Sequence, residues 1–477
     1  MCGGTFGSFL VMVRILCEIL VYSNFHFGTR SLSEGCEARH RDHLHMLMET
    51  ENMKKEHHTF VEEGSWSDVG SHKETMSHNS IESKEDRDAK PGIHLVESID
   101  EILAQANLPT EHLTHIQTVL YGNLPSNLNI DPSATKLSEM HDFEIKAYVY
   151  PVVPREMSPP RVVRIGMIQN AISKPTTAPF LEQWQGIIDT LEPMVDAAGL
   201  AGVNVLCLQE ACSMPFTFCT REKSWCEFAE DAREGRTVQW AKRKAAQYGM
   251  VIILPILERD SLLDRVWNTA VCIGHCGNYV GKSRKFHIPR VGDFNESTYY
   301  MEGDTGWPVF QTKFGKIGVP ICYSRHFPNT YLAHAISGAE ILFNPSATVA
   351  GLSENLWWTE QAANAVATST FVGQINRVGT ETMPNEFTSG DGKPAHTDFG
   401  HFYGTTMLTL PNGSRTPPLS RTRNGLLIAE VDLNLQQATR DKWCFNMTGR
   451  LGEYGDLFAA AAKDPNFEPQ IIVDPNH

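Results

Sequence analysis

The sequence predicts an α/β fold in which two sheets pack together between layers of helix. Strands and helices alternate from Val162 onward. The strand candidates are apolar at nearly every position, and several follow one another with no helix between them. Alternation argues for α/β, continuous apolar strands argue for faces covered on both sides, and consecutive strands make a purely parallel sheet a poor fit.

Each element has a local reason. Ser98-Ile99-Asp100-Glu101 reads as a capping box opening a short helix through Ala106. Pro109-Thr110 starts a second helix with Leu113, Ile116, Val119 and Leu120 on one face, and Gly122 ends it. This helical preface runs to about residue 150, and Pro159-Pro160 mark a linker. Val162–Ile168 then reads as a strand, Phe180–Ala198 as a helix, Val203–Leu208 as a strand and Thr237–Tyr248 as a helix. Met250–Leu257 and Thr269–Ile273 read as strands joined by a long loop, and His275–Gly281 holds a Gly-rich hairpin turn. Strand Ile317–Ile321, helix Asn329–Ser337, strand Ile341–Phe343, helix Glu354–Thr368 and strand Phe371–Ile375 follow, and Gly425–Val431 is the last strand. The domain reading is an extension over 1–90, a helical region over 95–158, a main domain over 160–445 and a tail over 446–477.

Composition bounds the function. At 477 residues, 41% hydrophobic and 20% charged, the chain is long enough to bury a sizeable core without staples. A net charge of −15 argues against wide nucleic-acid binding. Residues 28 to about 90 are polar with few aliphatics, which reads as a disordered segment, and 31–90 hold 14 acidic and 8 basic side chains. Phe6–Phe27 is apolar, but Arg14 and Glu18 interrupt it, so it is expected neither to span a membrane nor to match a signal peptide well. Eleven cysteines, several in apolar runs, fit reduced thiols and a cytoplasmic protein better than a disulfide framework. Cys207, Cys212, Cys219 and Cys226 lack the paired spacing of a zinc site, and no metal is expected.

Three polar groups stand where a strand ends or a loop follows one. Glu210 follows Val205-Leu206-Cys207-Leu208-Gln209; a carboxylate so placed is partly desolvated, as suits a general base, or else simply points to water. Lys285, in Gly281-Lys282-Ser283-Arg284-Lys285-Phe286-His287, belongs to a solvated basic face or supplies an ammonium to an oxyanion. Cys322, in Val319-Pro320-Ile321-Cys322-Tyr323-Ser324, is an inert core thiol or a nucleophile near backbone N–H donors at a strand-to-helix turn.

Their joint order and settings resemble the nitrilase superfamily of carbon–nitrogen hydrolases. Arg284-Lys285-Phe286-His287-Ile288-Pro289 is similar to its lysine motif, and Ile321-Cys322-Tyr323 to its nucleophile elbow. The resemblance covers about residues 95–465. It implies a four-layer α-β-β-α sandwich preceded by the helical preface, a Glu210–Lys285–Cys322 triad, and Glu296 as a further glutamate positioning it. The runs Ile288–Tyr300, Asn344–Thr348, Ile375–Glu381 and Asn385–Gly392 are similar to a branch that hydrolyses N-carbamoyl-β-alanine, a ureido acid. The resemblance also implies a dimer or larger homo-oligomer and no cofactor, and the helical preface and the Tyr454–Ala462 segment of the tail are the expected contact surfaces. For the substrate carboxylate the candidates are Arg221 and Arg325, with Tyr323, His326 and Ser353 beside them. Other amides or carbamoyl amines, and a catalytically dead scaffold with the same fold, are the rival readings. The chain departs from the family pattern at Phe286, Pro320, Ser324 and Phe327, where Phe327 replaces a histidine and Ser324 a glycine.

Overall fold

The computed structural model describes residues 98–475; the expectations for residues 1–90 lie outside them. Strands β1 (Ser126–Asn127), β2 (Glu144–Val149), β3 (Val162–Gln169), β4 (Val205–Leu208), β5 (Val251–Arg259), β6 (Val266–Ile273) and β7 (Tyr279–Arg284) join the late strand β15 (Gly425–Asp432) in one sheet. Its order is β1-β2-β15-β3-β4-β5-β6-β7. Between β7 and β15 come β8 (Val309–Thr312), β9 (Gly315–Gly318), β10 (Ile341–Pro345), β11 (Phe371–Ile375), β12 (Val378–Phe387), β13 (His396–Tyr403) and β14 (Met407–Thr409). The second sheet runs β14-β11-β10-β9-β8, and β12 and β13 form a separate hairpin.

The helices are α1 (Ile99–Gln105), α2 (Thr110–Tyr121), α3 (Pro132–His141), α4 (Phe180–Leu200), α5 (Arg236–Tyr248), α6 (Pro328–Ile336), α7 (Ala350–Thr368), α8 (Asn434–Trp443), α9 (Phe445–Thr448) and α10 (Leu451–Lys463). Ser98 caps α1 by accepting the Glu101 N–H at 3.2 Å, and Gly122 ends α2 at a φ of 76°. The stretch ahead of residue 150 also adds β1 and β2 to the larger sheet, with β2 parallel to β15.

Alternation along each strand builds the layers. Ile165, Met167, Val205, Cys207, Val251 and Ile253 face Ile317, Ile341, Phe343 and Phe371 in one core between the sheets. The intervening residues Leu206, Leu208, Ile252 and Leu254 pack instead with Ile187, Leu191, Met194 and Val238 of α4 and α5. On the far side, Leu342 and Val372 meet Tyr331 and Ala365 of α6 and α7. An apolar residue at every position is thus two period-two patterns interleaved, and the result is helix–sheet–sheet–helix. Gly373 lets the sheets close: a Cβ there would lie 2.7 Å from Met167 Sδ.

Two expectations change. β5 and β6 are joined by the short segment 260–265, because Glu258 and Arg259 on one side and Val266, Trp267 and Asn268 on the other continue the antiparallel ladder. β9 stops at Gly318 rather than Ile321, since Pro320 has no N–H to offer a ladder.

Candidate active site

Glu210, Lys285 and Cys322 all follow the carboxyl ends of strands. β3, β4 and β5 are parallel, and β7 regains that direction through two antiparallel steps. In the other sheet β9, β10 and β11 are parallel. Such strand ends open onto a crevice where side chains from distant sequence meet.

The Lys285 Nζ lies 2.9 Å from Glu210 Oε1, 2.6 Å from Glu296 Oε2 and 3.3 Å from the Tyr300 hydroxyl. Asn268 Nδ2 donates to Glu210 Oε1 at 2.8 Å, and the Tyr300 hydroxyl donates to Glu296 Oε2. Glu210, Lys285 and Glu296 are all buried. Burial alone pulls the Lys285 ammonium down, but Glu210 and Glu296 together hold it well above its ordinary value. Burial raises the Glu296 carboxyl against the pull of Lys285. Glu210 Oε2, buried, has no hydrogen-bond partner among the described residues.

Cys322 begins a short 3-10 turn, Cys322–His326, that leads into α6. Its φ is 45°, and Ala211, immediately after Glu210, sits at 46°. Left-handed backbone at non-glycine residues costs on the order of 1–3 kcal/mol and persists only where the surroundings enforce it. Asn344 supplies one such constraint, its Nδ2 donating to the carbonyls of Pro320 at 2.7 Å and Cys322 at 3.1 Å. Burial first, and then Glu210, push the Cys322 thiol up to about 12, with Lys285 and Arg325 pulling the other way. At neutral pH this sulfur is therefore a thiol that needs a base.

Cys322 opens onto a cavity of about 110 Å3 walled by Tyr323, Arg325, His326, Thr348 and Ser353, with Val291 and Phe294 among its apolar residues. That volume suits a small ligand rather than a drug-sized one. Arg325 is buried and points Nη1 at Cys322 Sγ, 3.9 Å away. Glu360 of α7 orients it, with Oε2 3.2 Å from Arg325 Nε and Oε1 2.5 Å from His326 Nδ1. The Ser353 hydroxyl is 2.5 Å from that of Thr348. Arg221 is not in the cavity wall; it is exposed and donates to Asn295 Oδ1 at 3.1 Å.

Tyr300, Asn268, Asn344 and Glu360 join the site without being among the sequence candidates. Asn344 carries the same signal as Glu210, a polar residue ending an apolar strand. Tyr300 and Glu360 carry none, because their roles depend on what approaches them from other elements. Of the four closely spaced cysteines, Cys212, Cys207 and Cys219 fall into three separate core clusters, and Cys226 packs against that of Cys219.

Known proteins share this architecture and sequence. The carbon-nitrogen hydrolase family model matches residues 164–441. A Beta-ureidopropionase of Arabidopsis thaliana is 55% identical over 384 residues, 80% of this chain and 93% of that protein. An N-carbamoylputrescine amidase of the same organism is 30% identical over 53% of this chain and 83% of its own length. A carbon-nitrogen hydrolase from Helicobacter pylori G27 superposes with a TM-score of 0.52 at 24% identity, covering 62% of this chain and 98% of that one, and so shares the fold. By its sequence over residues 164–441, more than half of its length, this chain belongs to the carbon-nitrogen hydrolase family.

Proposed function

We propose that this chain hydrolyses N-carbamoyl-β-alanine to β-alanine, ammonia and carbon dioxide, with Cys322 as nucleophile, Glu210 as base and Lys285 stabilising the oxyanion. The observation that carries it is a buried thiol sharing a small cavity with a buried arginine, beside an ammonium held between two carboxylates. The 55% identity to a Beta-ureidopropionase supports the choice of substrate.

A ureido carbon is a poor electrophile and needs both a strong nucleophile and a stabilised oxyanion. Glu210 takes the Cys322 proton as sulfur attacks the ureido carbon. The oxygen that gains charge faces the Lys285 ammonium and the Tyr323 N–H. Glu210 returns the proton to the terminal nitrogen, ammonia leaves, and the substrate remains as an S-carbamoyl thioester. Glu210 then deprotonates water, which attacks the thioester; the proton goes to sulfur, and the released carbamate loses carbon dioxide. Glu296 and Tyr300 hold Lys285 in place.

Arg325 accounts for a carboxylate at the far end of the substrate, since a planar guanidinium binds it in two places. Tyr323, His326 and Ser353 complete that wall. A carbamoylated diamine would set its one free ammonium against Arg325, which disfavours it. Ammonia release from N-carbamoyl-β-alanine, compared with its α-alanine analogue and with N-carbamoylputrescine, tests the assignment. Turnover of the α-alanine analogue alone or of N-carbamoylputrescine alone overturns it.

The chain is further assigned to the cytoplasm as a homo-oligomer. Among the described residues Cys207, Cys212, Cys219, Cys272 and Cys322 are all unpaired thiols, and no helix is long and apolar enough to cross a membrane. Leu451, Tyr454, Leu457 and Phe458 of α10 are exposed beside an apolar groove of about 970 Å3. Light scattering of the purified chain tests the second point, a monomer being the contrary result.

A further inference from the structure

The loop that carries Glu210 is held by a buried ion pair from the other sheet's side of the molecule. Arg377 lies between β11 and β12, and Glu381 lies on β12. Both are buried, and Arg377 Nη1 donates to Glu381 Oε1 at 2.7 Å. Arg377 Nη2 reaches three carbonyls of the loop: Glu210 at 3.1 Å, Ala211 at 2.6 Å and Met214 at 2.7 Å. The second oxygen of Glu381 accepts the Phe216 N–H at 2.5 Å. One guanidinium and one carboxylate thus satisfy four backbone groups between residues 210 and 216. Within that span Ala211 sits at a φ of 46°.

We propose that Arg377 and Glu381 are positioning residues for the base: they enforce the left-handed turn at Ala211 and so aim the Glu210 carboxylate at Cys322. A guanidinium suits the task because its planar fork can collect several carbonyls at once, which an ammonium on a flexible stem cannot. The neighbouring residue extends the design. Asn376 accepts the Thr348 N–H at 2.9 Å and donates to the Thr348 carbonyl at 3.0 Å, bracing the cavity wall. Consecutive residues after β11 therefore hold the base loop and the cavity wall in register. The proposal rests on Glu210 being the base.

The test compares Arg377→Lys, Glu381→Gln and Glu210→Gln, measuring kcat and KM on N-carbamoyl-β-alanine, the rate of Cys322 alkylation by iodoacetamide against pH, and thermal stability. Misaiming a catalytic group by about 1 Å costs roughly 100-fold in rate. The two positioning variants should therefore lose kcat on that scale with little change in KM, and alkylate Cys322 more slowly at neutral pH. In the Glu210→Gln background Arg377→Lys should slow alkylation no further, since the two act through one group. If Glu210→Gln is inactive but Arg377→Lys and Glu381→Gln keep kcat and the alkylation profile, the positioning role is wrong and Glu210 stands as base. A lowered melting temperature with unchanged alkylation likewise rules the positioning role out. If Glu210→Gln retains turnover, the assignment of the base itself fails. Should Arg377→Lys not fold, Glu381→Gln, which keeps the arginine and its three carbonyl bonds, decides the question.

Discussion

The imidazole of His287 stacks on the ring of Phe327, with centroids 3.9 Å apart and planes 8° apart. The Ser324 hydroxyl lies 3.1 Å from Nδ1 of the same imidazole, and Phe286 packs on Trp307 at 5.3 Å. Ser324 and Phe327, two departures from the family pattern, thus act on one side chain, which follows Lys285 by two residues. Burial lowers the His287 pKa, against the pull of Glu302. Because the three side chains form one unit, Ser324→Gly and Phe327→Ala should not be additive. A double-mutant cycle on thermal unfolding is expected to show a coupling of about 0.5–1 kcal/mol. Simple additivity would separate them.

Removing the proposed nucleophile separates chemistry from folding. Cys322→Ala takes away one sulfur from a site whose backbone is held by Asn344. It should abolish ammonia release while leaving the melting temperature within a few degrees. Retained turnover would end the assignment of Cys322.

Lys285 answers two carboxylates at once. Lys285→Met leaves both buried without a cation, and breaking such a pair costs about 3–5 kcal/mol. Adding Glu296→Gln to that variant should recover part of the stability and none of the activity. Urea unfolding beside an ammonia assay reads both. Full stability in Lys285→Met alone would mean that the carboxyls are satisfied some other way.

The two candidate arginines now differ. Arg325 lines the cavity and Arg221 does not. Losing a charge-assisted contact to a carboxylate costs about 1.5–3 kcal/mol, or roughly 10- to 150-fold in binding. Arg325→Ala should raise KM on that scale, whereas Arg221→Ala should leave it within a few-fold. The reverse pattern would place the carboxylate elsewhere.

His334 of α6 gives the fold an acid limit. Burial pushes its pKa down to about 4, and Gly318 packs so close that a Cβ there would lie 2.8 Å from His334 Nδ1. An unfolded histidine titrates near 6.5. The unfolded chain therefore binds the proton first, so stability is complete above about pH 6.5 and falls as pH drops toward 4. The loss is on the order of 3 kcal/mol. His334→Asn should be less stable at pH 8 but flatter between pH 6.5 and 4 in urea unfolding. An unchanged slope would assign the acid limit to other groups.

Much of this was legible in the linear chain, because it depends on patterns that repeat within a few residues. Continuous apolar strands such as Val251–Leu257 require cover on both faces, which dictated a layered α/β architecture. A polar residue closing such a strand marked Glu210 and Cys322. The tertiary structure decided what depends on long-range approach. It turned the basic run around Lys285 from a solvated face into a buried ammonium between Glu210 and Glu296. It placed Arg325 in the cavity wall and Arg221 outside it, and brought Arg377 to a loop more than 160 residues earlier in the chain. Side-chain periodicity is local and survives in sequence; the field and hydrogen bonds around a charge come from whichever segments fold against it.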